Sequence, residues 1–337
     1  MKRLIWIDNA KAIGIFLVIL AHTQIYSGVT DWISVFRMPL FFFLSGYLFS
    51  FQRNPDGIAF IKKRFRQIVI PYVLINIITY VFWLLISRHY GVNADEQSID
   101  WYSPVIATLL CNGKDMVHNI PLWFLLCLFI VEVVYYVVYK PLSSCWQRWA
   151  VTIAFGLLGY VNYKYIPIVL PFSLGTAFVG IMFYFLGNEV KERLENLQMP
   201  ALLQSVVLLV STAVITYFSI TNDRVYLYCN HYGNYVYFIV AALCGICMMY
   251  TLTDYLSRWI GANKVIEYIS RNTLTICGFH LMTFTLLKGV SVFFLGISLD
   301  IFNGTILPNV ILAIMGITIC CLIAYILNKY FPIVIGK

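Results

Sequence analysis

Charged residues are scarce in this chain. They make up 11% of its 337 residues, against 61% hydrophobic and 17% aromatic, and the mean hydropathy is +0.82. A soluble domain carries roughly 25% charged residues, so a water-facing surface for a chain of this size could not be covered. Also missing are a glycine-rich phosphate loop, a sequence repeat, a low-complexity tract and any long polar segment. The longest polar stretches, 52–66 and 88–103, are too short to fold alone. These absences exclude a secreted disulfide module, a disordered chain and a nucleic-acid binder. Acids are few as well, 15 against 23 Lys and Arg, for a net charge of +8, and in a membrane protein that surplus reads as topology. The nine cysteines sit largely in apolar runs. Cys244 and Cys247 form a CxxC, but with no second pair and no His at ligand spacing they read as packing residues. No metal or redox site is expected.

Long apolar runs are what the sequence does contain. A transmembrane helix needs about 20 mostly apolar residues. Ten segments qualify or come close: 11–28, 34–51, 67–87, 120–139, 148–162, 173–188, 201–219, 234–253, 273–295 and 306–330. The fifth and sixth are short, and Pro167, Pro171 and Gly175 between and within them predict irregular backbone, tolerated at membrane depth only where protein or a wet cavity surrounds it. Ser103–Leu110 is apolar but too short to cross, and is expected to be interfacial or re-entrant. With the N-terminus inside, Lys2, Arg3, Lys11, Arg53, Lys62, Lys63, Arg64, Arg66, Lys140, Arg148, Lys191, Arg193, Arg258, Lys264, Arg271, Lys329 and Lys337 fall on the cytoplasmic side. Only Arg88, Lys114, Lys164 and Arg224 fall outside, while Arg37 and Lys288 lie at or within span ends. That asymmetry predicts ten crossings with both termini cytoplasmic. The opening MKRLIW is not expected to be a cleaved leader, because Asp8 and Lys11 interrupt the run and no small-residue cleavage site follows. The expected architecture is an all-α polytopic membrane protein, residues 1–337 forming one integral-membrane domain without a separate soluble part.

Ionisable side chains inside such spans cost a few kcal/mol, which makes them functional candidates. The first span carries Asp8, Lys11 and His22. Lys11 and His22 are eleven residues apart, about three turns, so they share a face at roughly 16 Å separation, and Asp8 precedes Lys11 on the same stripe. One reading makes Asp8 and Lys11 interface markers and His22 a hydrogen-bonded core residue. The other makes the stripe a site, with a cationic end for a phosphorylated cofactor and an imidazole for proton or acyl transfer. An extended pantetheine arm has a similar length. The run Lys62-Lys63-Arg64-Phe65-Arg66-Gln67 before Pro71 is either an anchor to anionic lipid or a clamp for cofactor phosphates.

The residues at this point resemble a family. Asp8-x-x-Lys11 with ten residues to His22 is similar to the Arg/Lys-x10-His signature of the membrane acyltransferase 3 family. Phe36-Arg37-Met38-Pro39-Leu40-Phe41-Phe42-Phe43-Leu44-Ser45-Gly46-Tyr47 resembles its second-helix segment, and Pro121-Leu122-Trp123-Phe124-Leu125 its Leu-Trp-Phe-Leu motif. Ile269-Ser270-Arg271-Asn272-Thr273-Leu274, ending in His280, is similar to a late motif. The four occur in the family's order over residues 8–280. The family often carries Arg-x-x-Arg before the third span, whereas here Gln67 stands where the second Arg is expected, with Arg66 as the substitute. Some members also carry an extracytoplasmic esterase-like domain, which this sequence lacks after its tenth span, so transfer is expected to be completed by the membrane part or a separate partner.

The resemblance implies an O-acyltransferase of a bacterial-type cell membrane. It would move an acetyl or other short acyl group from cytoplasmic acetyl-CoA to a hydroxyl of a cell-surface carbohydrate, polymeric or lipid-linked. His22 would be general base or transient acyl carrier, Asp8 would hold Lys11, and Lys11 with Lys63, Arg64 and Arg66 would meet the cofactor. Arg37, Trp123, Trp101 and Tyr102 are candidates for sugar contact or for the interfacial belt. His280 is either a packed histidine or part of the substrate site, and Asp115 and His118 could touch the acceptor from an outer loop. Ser45-Gly46 is expected to permit close helix packing. Two other functions fit a polytopic chain: a transporter or flippase of a glycan precursor, which predicts paired broken helices that the sequence does not show, and a non-catalytic scaffold of a polysaccharide assembly, which would not need the Asp8–Lys11–His22 stripe.

Overall fold

The apolar stretch Ile5–Leu20 forms α1, which packs against α3 (Arg37–Leu48), α12 (Tyr235–Ile260), α13 (Lys264–Arg271), α14 (Thr273–Phe293) and α15 (Leu307–Tyr330). It is therefore the inner pillar of the bundle. The computed structural model describes residues 4–89, 98–166, 168–197 and 199–337, so Lys2, Arg3 and Pro167 lie outside the described residues. The remaining helices are α2 (Ser27–Ser34), α4 (Gly57–Arg64), α5 (Ile70–Phe82), α6 (Ser103–Leu110), α7 (Trp123–Tyr139), α8 (Cys145–Tyr165), α9 (Leu174–Glu189), α10 (Lys191–Glu195) and α11 (Ala201–Thr221). There is no strand among the described residues.

Local chemistry sets the helix ends. The Asp56 carboxylate accepts from the N–H groups of Ile58 and Ala59 at the start of α4, and Asn234 and Asn263 do the same for α12 and α13, each satisfying donors that a helix start leaves open. Ser144 and Gln147 form a reciprocal box at the start of α8. Before α9, Pro171–Ser173 make a tight turn in which Phe172 and Ser173 have φ of 60° and 55°, so the irregular backbone expected near Pro171 is present. α3 and α9 meet backbone to backbone: a Cβ at Gly46 would stand 1.8 Å from the Tyr184 carbonyl oxygen, and one at Gly187 2.0 Å from that of Phe43. Small residues are what permit this approach.

Several apolar helices make this a multi-pass membrane protein. Among the described residues, seven helical segments are long and apolar enough to cross: Gly57–Ser87, Ile120–Tyr139, Pro171–Glu189, Ala201–Thr221, Tyr235–Ile260, Thr273–Phe293 and Leu307–Tyr330. The expectation of ten differs at three places. The first predicted span, 11–28, is cut by a turn after Leu20, leaving α1 at 16 residues, with the remainder passing into α2. The second, 34–51, shortens to the 12 residues of α3. The fifth becomes the 21-residue α8, which is too polar to count among the seven. The apolar run Ser103–Leu110 is an eight-residue helix with those same bounds. All nine cysteines are free. Cys127, Cys277 and Cys320 are buried as expected, but Cys247 is exposed and Cys244 half-buried, because that face of α12 turns away from the bundle.

Candidate functional site

One face of α1 presents Lys11, Ile15, Val18 and His22 to a single cavity of about 530 Å³. The spacing i, i+4, i+7, i+11 is that of a helical stripe. His22 lies two residues beyond the α-helix, yet it remains on the stripe because the chain continues in tightened turns. There the Ala21 N–H donates to the Leu17 carbonyl at 3.1 Å, the His22 N–H to Ile19 at 3.0 Å and the Thr23 N–H to Leu20 at 3.1 Å.

The end of the cavity beside Lys11 is cationic. Lys11 stands within electrostatic reach of Arg64 and of Asp8, while Asp8 accepts a 2.6 Å hydrogen bond from the Ser270 hydroxyl and is not in the cavity wall. Arg64 is bidentate: its Nε and Nη2 donate to the two carboxylate oxygens of Glu132. Its Nη1 donates to Gln67 Oε1 at 2.8 Å. Gln67, the position at which the family pattern has a second Arg, thus lines the cavity as a holder of Arg64. The chain between them is a π turn, Phe65–Val69. Pro71, which has no N–H, leaves the Gln67 carbonyl without its helical donor, and a Cβ at Gly336, with φ +76°, would meet that oxygen at 2.8 Å. Arg271 and Lys337 also reach this end.

The end beside His22 is different in kind. Its lining includes Ser34, Arg37, Phe41, Trp123, Tyr228 and Cys277. Arg37 and His280 stand within electrostatic reach of His22. The His22 and His280 rings lie 5.2 Å apart, centroid to centroid, tilted by 52°. His280 is fully buried, and its Nδ1 is 2.8 Å from the Cys277 carbonyl oxygen. A carbonyl only accepts, so Nδ1 carries the proton, and Nε2, which has no partner, is a bare acceptor.

His22 also lines a second cavity, of about 550 Å³, with Gln24, Thr79, Trp83, His118 and Lys288 in its wall. Lys288 donates to Gln24 Oε1 at 3.0 Å. On α5 the Asn76 amide nitrogen donates to the Tyr72 carbonyl at 2.7 Å, which leaves Asn76 Oδ1 to accept from Nε2 of His118, in the loop before α7, at 3.0 Å. Burial brings the His118 imidazole down to about 4.

Of the residues singled out in the sequence, Lys11, His22, Arg37, Arg64 and Trp123 meet in one cavity. Lys63 and Arg66 are exposed and outside both linings, because successive residues of a helix point in different directions and only Arg64 and Gln67 turn inward. His280 touches His22 but lines neither cavity, so it is not placed to meet a sugar directly. Trp101 and Tyr102 are exposed, 61% and 47%, and outside both linings. Asp115 is also exposed and accepts from the Asn112 amide at 2.6 Å. Sequence reasoning missed Glu132, although it is the single acid in its apolar run and carried the same signal that marked Asp8. It also missed the cavity roles of Arg271 and Lys337, for which no local spacing gives a sign. Among the described residues, no group of three or more His, Cys, Asp or Glu stands close enough to hold a metal ion.

In comparisons with known proteins, the model of the family described as "Acyltransferase domain" matches residues 4–325, nearly the whole chain. No curated protein and no solved structure matches it.

Proposed function

The chain belongs to the acyltransferase 3 family, and from that premise we propose that it is an O-acyltransferase taking a short acyl group, acetyl foremost, from acetyl-CoA. The acceptor in this reading is a hydroxyl of a cell-surface carbohydrate, polymeric or lipid-linked. The observation that carries it is the single cavity into which both Lys11 and His22 project. The helical rise separates them by roughly 16 Å, which suits phosphates at one end and a thioester at the other. Lys11, Arg64 and Arg271 would meet the phosphates, the Arg64 fork held in orientation by Glu132 and Gln67. The excess of Lys and Arg in the segments read as inner supports a reading in which that end faces the cytoplasm, the membrane in this proposal being a bacterial-type one.

His22 belongs to both cavity walls. A neutral imidazole there takes the proton of an acceptor hydroxyl approaching from the second cavity as its oxygen adds to the thioester carbon. When the tetrahedral adduct collapses, the imidazolium returns that proton to the departing thiolate, giving the ester and the free thiol of the coenzyme. Transfer through an acyl-imidazole uses the same positions in two steps.

The test is His22→Ala in a host that makes the glycan, with ester content read by glycan NMR. Loss of the acetyl resonance at normal protein level is expected. Unchanged acetylation at normal protein level overturns the reading, and failed export with acetylation intact assigns the chain to transport instead.

A further inference from the structure

Resting on the acyl-transfer reading, we infer that Arg37 is the group that stabilises the oxyanion formed at the thioester carbonyl. Arg37 opens α3 and lines the cavity beside His22. The other cations of that cavity are accounted for. Arg64 is locked to Glu132, Arg271 pairs with Glu267 at 2.7 Å, Lys11 has Asp8 within electrostatic reach, and the Lys337 amine donates to Asn328. Among the described residues, no carboxylate pairs with Arg37, and its Nη1 is buried without any hydrogen-bond partner. The cation acting on it is Arg224, which is itself engaged by Asp31 at 2.9 Å. A guanidinium stays ionised in a protein, and a buried donor left open costs stability, more so for a charged group. The structure thus keeps a positive charge, with an open donor, beside the imidazole.

Position decides which anion it awaits. Donor phosphates belong at the Lys11 end, about 16 Å away along the helix. What reaches Arg37 in the ground state is the acyl end of the donor, which is neutral. Negative charge arises there only when the acceptor oxygen adds to the carbonyl carbon and the C=O π pair moves onto oxygen. That oxygen takes the open Nη1–H, and the interaction is released when the carbonyl re-forms and the thiolate leaves. A donor aimed where charge develops, among apolar neighbours such as Phe41 and Phe124, lowers the barrier without tightening ground-state binding. The N-terminal turn of α3, whose Pro39 contributes no N–H, adds a positive helix end on the same side. Arg37 is then a catalytic residue rather than a sugar contact.

The test uses membranes containing the full chain and acetyl-CoA labelled in the acetyl group, reading label incorporated as alkali-labile ester. Arg37→Met is expected to lower kcat by about a hundredfold or more, the loss typical of a removed oxyanion donor, with KM for acetyl-CoA within about threefold. Arg37→Lys should fall between, since it keeps the charge but not the fork. Added guanidinium ion should restore part of the rate to Arg37→Ala. Stabilisation by coenzyme A alone, read as a thermal shift, reports that each variant is folded, and Arg37→Lys carries the test if the others are not. A raised KM with kcat unchanged would assign Arg37 to a ground-state anion and overturn the inference. Unchanged kcat and KM would overturn it as well. Both results leave the acyl-transfer reading standing so long as label transfer still depends on His22; transfer that is independent of His22 defeats the reading and this inference together.

Discussion

Two guanidiniums line one cavity and differ in what balances them. Arg64 is held on both forks by Glu132, whose side chain is 4% exposed, and on its remaining nitrogen by Gln67. Arg37 has an open Nη1 and no acid partner among the described residues. The first arrangement is finished before any ligand arrives. The second is complete only with a ligand present. A buried ion pair adds little net stability but becomes costly once half of it is removed, whereas an unpaired buried charge costs stability while it stays. Stability and activity should therefore respond in opposite ways at the two positions.

The largest effect should come from breaking the finished pair. Glu132→Ala leaves the Arg64 cation uncompensated and is expected to cost about 3–5 kcal/mol, read as a fall in thermal midpoint in detergent. Methionine at both 64 and 132 should recover that stability, as apolar replacements of buried pairs do, but not the donor affinity.

A converse change would give Arg37 the partner it lacks. Cys277 lies within electrostatic reach of it, so Cys277→Asp should saturate the guanidinium and lower kcat by about a hundredfold while the folded protein still accumulates.

Acid provides a smaller comparison, with a buried group that is neutral rather than charged. His118 sits at about 4 in the fold and near 6.5 when exposed. The unfolded chain therefore binds more protons between those values, and stability should fall as pH drops from 6.5 towards 4, by on the order of 2–3 kcal/mol. His118→Gln should flatten that part of the profile. Arg37→Met removes the open buried donor and should raise stability, by about 1 kcal/mol. Lys63→Ala, at an exposed position, should leave stability within about 0.5 kcal/mol.

What could be read in advance follows from the range of the physics involved. Helical periodicity is local, so the Lys11–His22 spacing placed both residues in one cavity even though α1 stops at Leu20. The bounds of Ser103–Leu110 were legible because an apolar run stands out from its flanks, whereas its helical form was not read from the sequence. Direction around a helix is also local, but the basic run gave no sign of which cation turns inward. That choice is made by Glu132, 68 residues away from Arg64. Arg271 and Lys337 reach the cavity from the far end of the chain, where only tertiary packing brings them near Lys11. The shortening of α1 and α3 was hidden because apolar side chains in the turns and in short helices look alike in composition. Gln67 looked like a departure from the family pattern until its hydrogen bond to Arg64 gave it a place.

The shortness of α1 has an electrical consequence. Sixteen residues rise about 24 Å, less than the roughly 30 Å of a bilayer's hydrocarbon core, and the cavities on either side of His22 thin the partition further. A transmembrane potential drops mostly across the poorly conducting layer between its two wet faces, and each elementary charge crossing 100 mV gains about 2.3 kcal/mol. A proton moving on or off His22 would feel much of that field, so the rate of such a step would track the energised state of the membrane that houses it.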